Sequence, residues 1–253
     1  MLDEIAIDAD GKSASLEFVL QDRPKFHEGE LEIAGSFDPS QSYWKRASVA
    51  RLINRVPMFY GIGGDAARFI SNSVGKGSRS LEIGLGLSTL AFIMKGGEHV
   101  CITRIASEIE LLKAYCGKHG IDLSNATFIC ESSDKYLPTH PHRDLDVVLI
   151  DGKHAFPFPV LDWYFTADQL KRSGLMIIDD VQLKTVRVLK DFLDVDPRWK
   201  RVAYFDQKTV VYEKLVDEVH DVAWHMQPYA FQGSRLHRMK ALAVRAANRL
   251  RGR

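Results

Sequence analysis

Cysteine is scarce in this 253-residue chain, with three residues in all. Cys101, Cys116 and Cys130 form no Cys-x-x-Cys pair, which argues against a disulfide or zinc site and predicts buried free thiols in a reducing compartment. No apolar run approaches the ~20 residues that span a bilayer. The opening Met1-Leu2-Asp3-Glu4 is acidic and lacks the basic and apolar regions of a secretion signal, so the expected location is the cytoplasm. Internal repeats and low-complexity tracts are also missing.

Acidic residues are missing from the last 19 positions, where Arg235, Arg238, Lys240, Arg245, Arg249, Arg251 and Arg253 stand. The formal net charge of +1 hides this asymmetry. Residues 1–234 hold 27 basic against 33 acidic side chains, a net of about −6, which argues against a nucleic-acid-binding catalytic domain. Leu236, Met239, Leu242, Ala243, Ala246 and Leu250 fall on one arc, predicting a basic amphipathic helix. Such a helix can rest on an acidic membrane surface, on a partner subunit of a homo-oligomer, or on its own domain, and spacing alone does not choose.

What is present is the alternation of an α/β protein. Strands are expected near residues 80–84, 99–103, 127–130, 146–151, 174–179, 200–205 and 208–213, with helices near 88–95, 106–119, 159–172 and 183–194. This pattern predicts a Rossmann-like, mostly parallel sheet with helices on both faces. Asp206 and Gln207 alone separate the last two strands, so those must form an antiparallel hairpin. Residues 15–20 and 30–35 read as a further hairpin, and 41–56 as a covering helix stopped by Pro57. Gly61-Ile62-Gly63-Gly64 reads as a joint before a helix capped by Asp65. The expected division is therefore 1–60, 61–215 and 216–253.

The segment Glu82-Ile83-Gly84-Leu85-Gly86-Leu87-Ser88-Thr89 reads as a buried strand turning sharply into a helix. Gly84 and Gly86 permit the turn and a close ligand approach, while Ser88 or Thr89 can cap the helix. A dinucleotide loop usually carries a third glycine where this chain has Ser88 and Thr89, which favours a ligand without phosphate. Two later strands end in acids, Asp151 in Ile150-Asp151-Gly152-Lys153-His154 and Asp179-Asp180. In an open sheet these carboxyl ends share one crevice with Glu82. Three clustered aspartates repel one another unless a cation or hydrogen-bond donors neutralise them, and Mg²⁺ is the simplest partner.

The Glu82 to Leu90 stretch resembles motif I of the class I S-adenosylmethionine-dependent methyltransferases. Residues 63–213 are similar in layout to the bacterial small-molecule O-methyltransferases and to catechol O-methyltransferase. The resemblance implies that S-adenosylmethionine is held by Glu82, Gly84, Gly86, Ser88, Thr89, Ser132 and Ser133. It puts Asp151, Asp179 and Asp180 on the metal positions, and His154, beside Asp151, on the catalytic base position. Lys153 and Ala155 depart from the common pattern, Lys153 by placing a positive charge near the expected cation. Arg104 stands where these families have a ribose-binding acid, so Glu108, in the first turn of the next helix, is expected to reach the ribose instead.

The expected function is methyl transfer to a sugar or phenolic hydroxyl of a small molecule, assisted by His154 and by Mg²⁺ if it binds. Two rivals stay open, an NAD(P)-dependent oxidoreductase suggested by Arg104 and a non-catalytic binding module.

Overall fold

The computed structural model describes residues 14–26 and 61–231. Its elements in chain order are α1 (Leu16–Asp22), α2 (Gly64–Ser73), β1 (Arg79–Ile83), α3 (Leu87–Ile93), β2 (Glu98–Thr103), α4 (Ala106–Lys118), β3 (Ala126–Cys130), α5 (Ser133–Tyr136), β4 (Leu145–Ile150), α6 (Phe158–Thr166), β5 (Leu170–Ile178), α7 (Lys184–Leu193), β6 (Trp199–Phe205) and β7 (Thr209–Lys214). Two 3₁₀ turns follow, at Trp224–Met226 and Pro228–Phe231.

The seven strands form one sheet in the order β3-β2-β1-β4-β5-β7-β6. Pairings among β1 to β5 are parallel, and β7 runs antiparallel to both β5 and β6. The expected Rossmann-like sheet and terminal hairpin are both present. Asp206 and Gln207 have φ of 49° and 54°, and the Lys208 amide donates to the Phe205 carbonyl at 2.8 Å, closing a two-residue turn of the kind whose twist suits a hairpin.

Both faces of the sheet are covered, and β4 shows how. Val148 and Ile150 point into a core with Trp163 of α6 and Val186, Leu189 and Leu193 of α7. Val147 and Leu149 point the other way, against Ala66 and Ile70 of α2 and Ala91 and Phe92 of α3. Alternation by two with apolar residues in both registers is what a doubly covered parallel strand requires. A third cluster joins Val19 of α1 to Leu90 of α3 and to Ile109 and Leu112 of α4, around Cys101. All three cysteines are free thiols; Cys101 and Cys116 are buried as expected, but Cys130 is exposed, because it ends β3, the strand at the edge of the sheet.

Three local expectations are corrected. Residues 16–22 are a helix and not a strand, because Ser15 caps it by accepting from the Phe18 amide at 3.2 Å and Leu16, Val19 and Leu20 turn one face inward. Asp65 lies in the first turn of α2 and Gly63 is its N-cap. The helix expected to run to 172 ends at Thr166, and β5 starts at Leu170, with Ser173 at φ 64° where the β4–β5 register shifts. The expected strand at 30–35, the helix at 41–56 and the C-terminal basic helix lie outside the described residues. Among the described residues, no helix is long and apolar enough to cross a membrane.

Candidate active site

The parallel register aligns the strand ends that build the site. Ile83 pairs with Ile102 on one side and Ile150 on the other, and Ile150 pairs with Ile178. The following residues, Gly84, Thr103, Asp151 and Asp179, therefore stand in a row along the carboxyl edge. Backbone bonds continue across that edge: the Gly84 amide donates to Ile102 at 2.9 Å and the Asp151 amide to Ile83 at 2.8 Å. Gly84 has φ +101°, and a Cβ there would meet the Asp151 carbonyl oxygen at 2.2 Å. Only glycine fits this crossing.

A cleft of about 180 Å³ opens over this edge. Of the residues picked out from sequence, Gly84, Arg104, Glu108, Ser132, Ser133, Asp151, His154 and Asp180 line it, together with Thr103, Glu131 and Lys153. Glu82, Gly86, Ser88, Thr89 and Asp179 are not among its walls.

Glu82 lies beneath the loop, fully buried. It accepts from the hydroxyls of Ser88 and of Thr89, the latter at 2.7 Å, and His99 Nε2 is 3.3 Å away. His99 Nδ1 in turn meets the Ser80 hydroxyl at 2.9 Å, and its ring stacks on Phe92. Thr89 Oγ1 also accepts from the Gly86 amide at 3.1 Å. Glu82 thus fixes the turn and the start of α3 from below. On the other side of the cleft, Thr103 donates to the buried carboxylate of Glu108 at 2.7 Å, while Arg104 is exposed.

His154 and Asp180 pair on the wall of the cleft. His154 Nε2 is 3.0 Å from Asp180 Oδ2 and 3.9 Å from Asp151 Oδ1. An ionised carboxylate only accepts, so Nε2 carries the hydrogen in the neutral ring and Nδ1 keeps its lone pair. Asp180 is set by a left-handed backbone, φ 57°, and also accepts from Gln182 at 2.6 Å. Burial would raise its pKa, but the His154 hydrogen bond and the charge of Lys208 bring it down to about 2. Asp151 moves the other way, well above its ordinary value, because desolvation and the neighbouring Asp179 disfavour its charged form.

The residue that sequence reasoning missed is Lys208. Its ammonium pairs with Asp179 and, at 3.4 Å, with Asp180, and it donates to the Gly61 carbonyl at 3.2 Å. Thr209 donates to the other oxygen of Asp179. Burial would lower the Lys208 pKa, but Asp179, Asp151 and Asp180 together hold it above its ordinary value. Both oxygens of Asp179 are thereby engaged, so Asp151, Asp179 and Asp180 do not offer Mg²⁺ three free carboxylates. Asp151, His154 and Asp180 do place one ligating atom each within 4.8 Å of one another, but the imidazole nitrogen facing Asp180 is already at hydrogen-bond distance. The donor set does not fit a hard divalent ion. Lys153 turns to the Phe158 ring, 3.7 Å from its centroid.

Residues 81–181 match a family described as a methyltransferase domain. No curated protein matches the chain. Solved structures with a similar fold include cofactor-bound Rv0187 from MTB, at 15% identity and TM-score 0.54 over 76% of this chain and 100% of that one. The O-methyltransferase TomG from Streptomyces achromogenes, in complex with SAM, is similar at 14% identity and TM-score 0.52 over 74% and 96%. The SAH-bound Podospora anserina methyltransferase PaMTH1 is similar at 15% identity and TM-score 0.53 over 76% and 98%. The sheet order and these solved structures show the same fold, and residues 81–181 are similar to a methyltransferase domain family.

Proposed function

We propose that this domain binds S-adenosylmethionine in the cleft over the β1, β2 and β4 ends and transfers its methyl group to a hydroxyl of a small molecule, a sugar or a phenol. The observation that carries the reading is the His154–Asp180 pair, held at 3.0 Å on the wall of that cleft. Asp180 orients the imidazole through Nε2, leaving Nδ1 to take the proton of the acceptor hydroxyl. The acceptor oxygen then forms a bond to the methyl carbon as the carbon–sulfur bond breaks, its electron pair staying on sulfur to give S-adenosylhomocysteine.

The charge of the cleft supports a sulfonium ligand. Glu108, Glu131 and Asp180 line it against Arg104 and Lys153, while Asp151 is held toward its neutral form. Glu82 argues further against a dinucleotide: its carboxylate lies under the start of α3, where a pyrophosphate would seek the helix amides, and like charges there repel. Glu108, buried at the cleft and fixed by Thr103, suits the ribose-binding role that Arg104 cannot take. The SAM and SAH bound in TomG and PaMTH1 agree with this reading.

Titration calorimetry with S-adenosylmethionine, S-adenosylhomocysteine, NADH and NADPH tests it. Binding of the first two alone is expected, and preferential binding of NADPH would replace the methyltransferase reading with an oxidoreductase that uses Arg104. A methyl-transfer assay against sugar and phenolic acceptors then separates an enzyme from a binding module.

A further inference from the structure

Lys208 is delivered to the carboxyl edge by topology. Because β7 runs antiparallel to β5, with Ile178 opposite Val210, the start of β7 lies beside the end of β5, where Asp179 and Asp180 follow. The two-residue turn at Asp206 and Gln207 fixes where β7 begins, and the Val181 amide donates to the Lys208 carbonyl at 3.0 Å. A lysine ammonium has three hydrogens to donate. Here two are donated, to Asp179 and to the Gly61 carbonyl, and Asp180 is an ion-pair partner at 3.4 Å. Its side chain is 19% exposed and that of Asp179 is 1% exposed.

A divalent ion bonded to the same carboxylates at about 2.1 Å would sit within a few ångströms of this ammonium, where low-dielectric surroundings make like-charge repulsion large. The ammonium and the ion compete for one place.

We propose that Lys208 is the resident cation of this acid cluster, and that the domain works without a divalent metal. Lys208 is a positioning residue: it holds Asp180, and Asp180 orients His154. This rests on the function proposed above for the same cleft, and the two can fail separately.

The test begins with the whole chain stripped of metal by EDTA. Wild type is titrated with MgCl₂ and, separately, with S-adenosylmethionine. No Mg²⁺ heat, no Mg²⁺-dependent rise in melting temperature and full methyl transfer in EDTA are expected. Saturable Mg²⁺ binding by wild type that raises activity overturns the proposal, even if Lys208 variants do not fold. Failure to bind S-adenosylmethionine strikes the function reading instead and leaves the Mg²⁺ result interpretable. Lys208→Met should lower kcat by about 10-fold or more with KM for S-adenosylmethionine within about 2-fold, and Lys208→Arg should recover part of kcat. Equal kcat in wild type and Lys208→Met overturns the positioning role.

Discussion

Gly84 and Asp151 are in backbone contact so close that no side chain fits between them: a Cβ on Gly84 would stand 2.2 Å from the Asp151 carbonyl oxygen. The glycine turn after β1 and the end of β4 at Asp151 are thus one mechanical unit. Gly86 differs, because it is extended at φ −173° and a Cβ there meets only Ser88 Oγ, at 3.9 Å. The two glycines should separate experimentally. Gly84→Ala is expected to lower the melting temperature, whereas Gly86→Ala should leave it near wild type and weaken S-adenosylmethionine binding. Calorimetry on folded Gly86→Ala decides the second point, and unchanged affinity would mean that the ligand does not approach that backbone.

His154→Ala should reduce the methyl-transfer rate by about 10²-fold with little change in cofactor affinity, as loss of a general base predicts. Asp180→Asn should cost about 10-fold or more, since an amide can present N–H to the imidazole and reverse its tautomer. Single-turnover kinetics report both, and a His154→Ala rate equal to wild type removes the base assignment.

Arg104→Glu should tighten S-adenosylmethionine binding several-fold, and Glu108→Ala should weaken it. The reason is that Glu108 already sits at the cleft with Thr103 donating to it, while Arg104 brings positive charge toward a cationic ligand. Weaker binding in Arg104→Glu together with NADPH binding by wild type would favour the oxidoreductase.

Asp162 on α6 is 1% exposed, and neither of its oxygens has a well-formed hydrogen bond. Burial pushes its pKa up to about 6 from 3.8, against the pull of the Ser133 hydroxyl. A raised carboxyl pKa means that the folded form keeps the proton longer. The stability it contributes is full below 3.8 and is lost as pH rises through about 6. Asp162→Asn should therefore raise the melting temperature by several degrees at about pH 7.5 and by much less at about pH 4.5. An equal gain at both values would assign the effect to packing.

Much of the fold was legible because doubly covered strands advertise themselves as continuous apolar runs, as Val147 to Ile150 do. The short connection at Asp206 and Gln207 allowed no pairing but a hairpin. Residues 16–20 misled because Leu16, Phe18 and Leu20 alternate as a strand would, while the Ser15 cap and the buried Val19 decide for helix. At the site, the strand-final acids and His154 were visible as motifs. Lys208 was not, since a lysine just after a tight turn looks like an ordinary solvated charge until β7 is known to lie between β5 and β6. Its one signal is position, directly after a tight turn and opposite a strand ending in two aspartates. Glu82 was read as a cleft residue because an acid before a glycine turn can face either way, and the hydroxyls of Ser88 and Thr89 draw it inward.

On the function proposed above, the chain of contacts from Glu82 through His99 to Ser80 bears on the rate at which the cofactor is captured. A glycine-containing turn left to itself would sample many shapes, only some able to receive a guest, and the apparent association rate would be scaled down by that fraction. Anchoring the turn to a buried carboxylate from below restricts its shape, and on the proposed reading the ligand then meets a surface that needs little rearrangement.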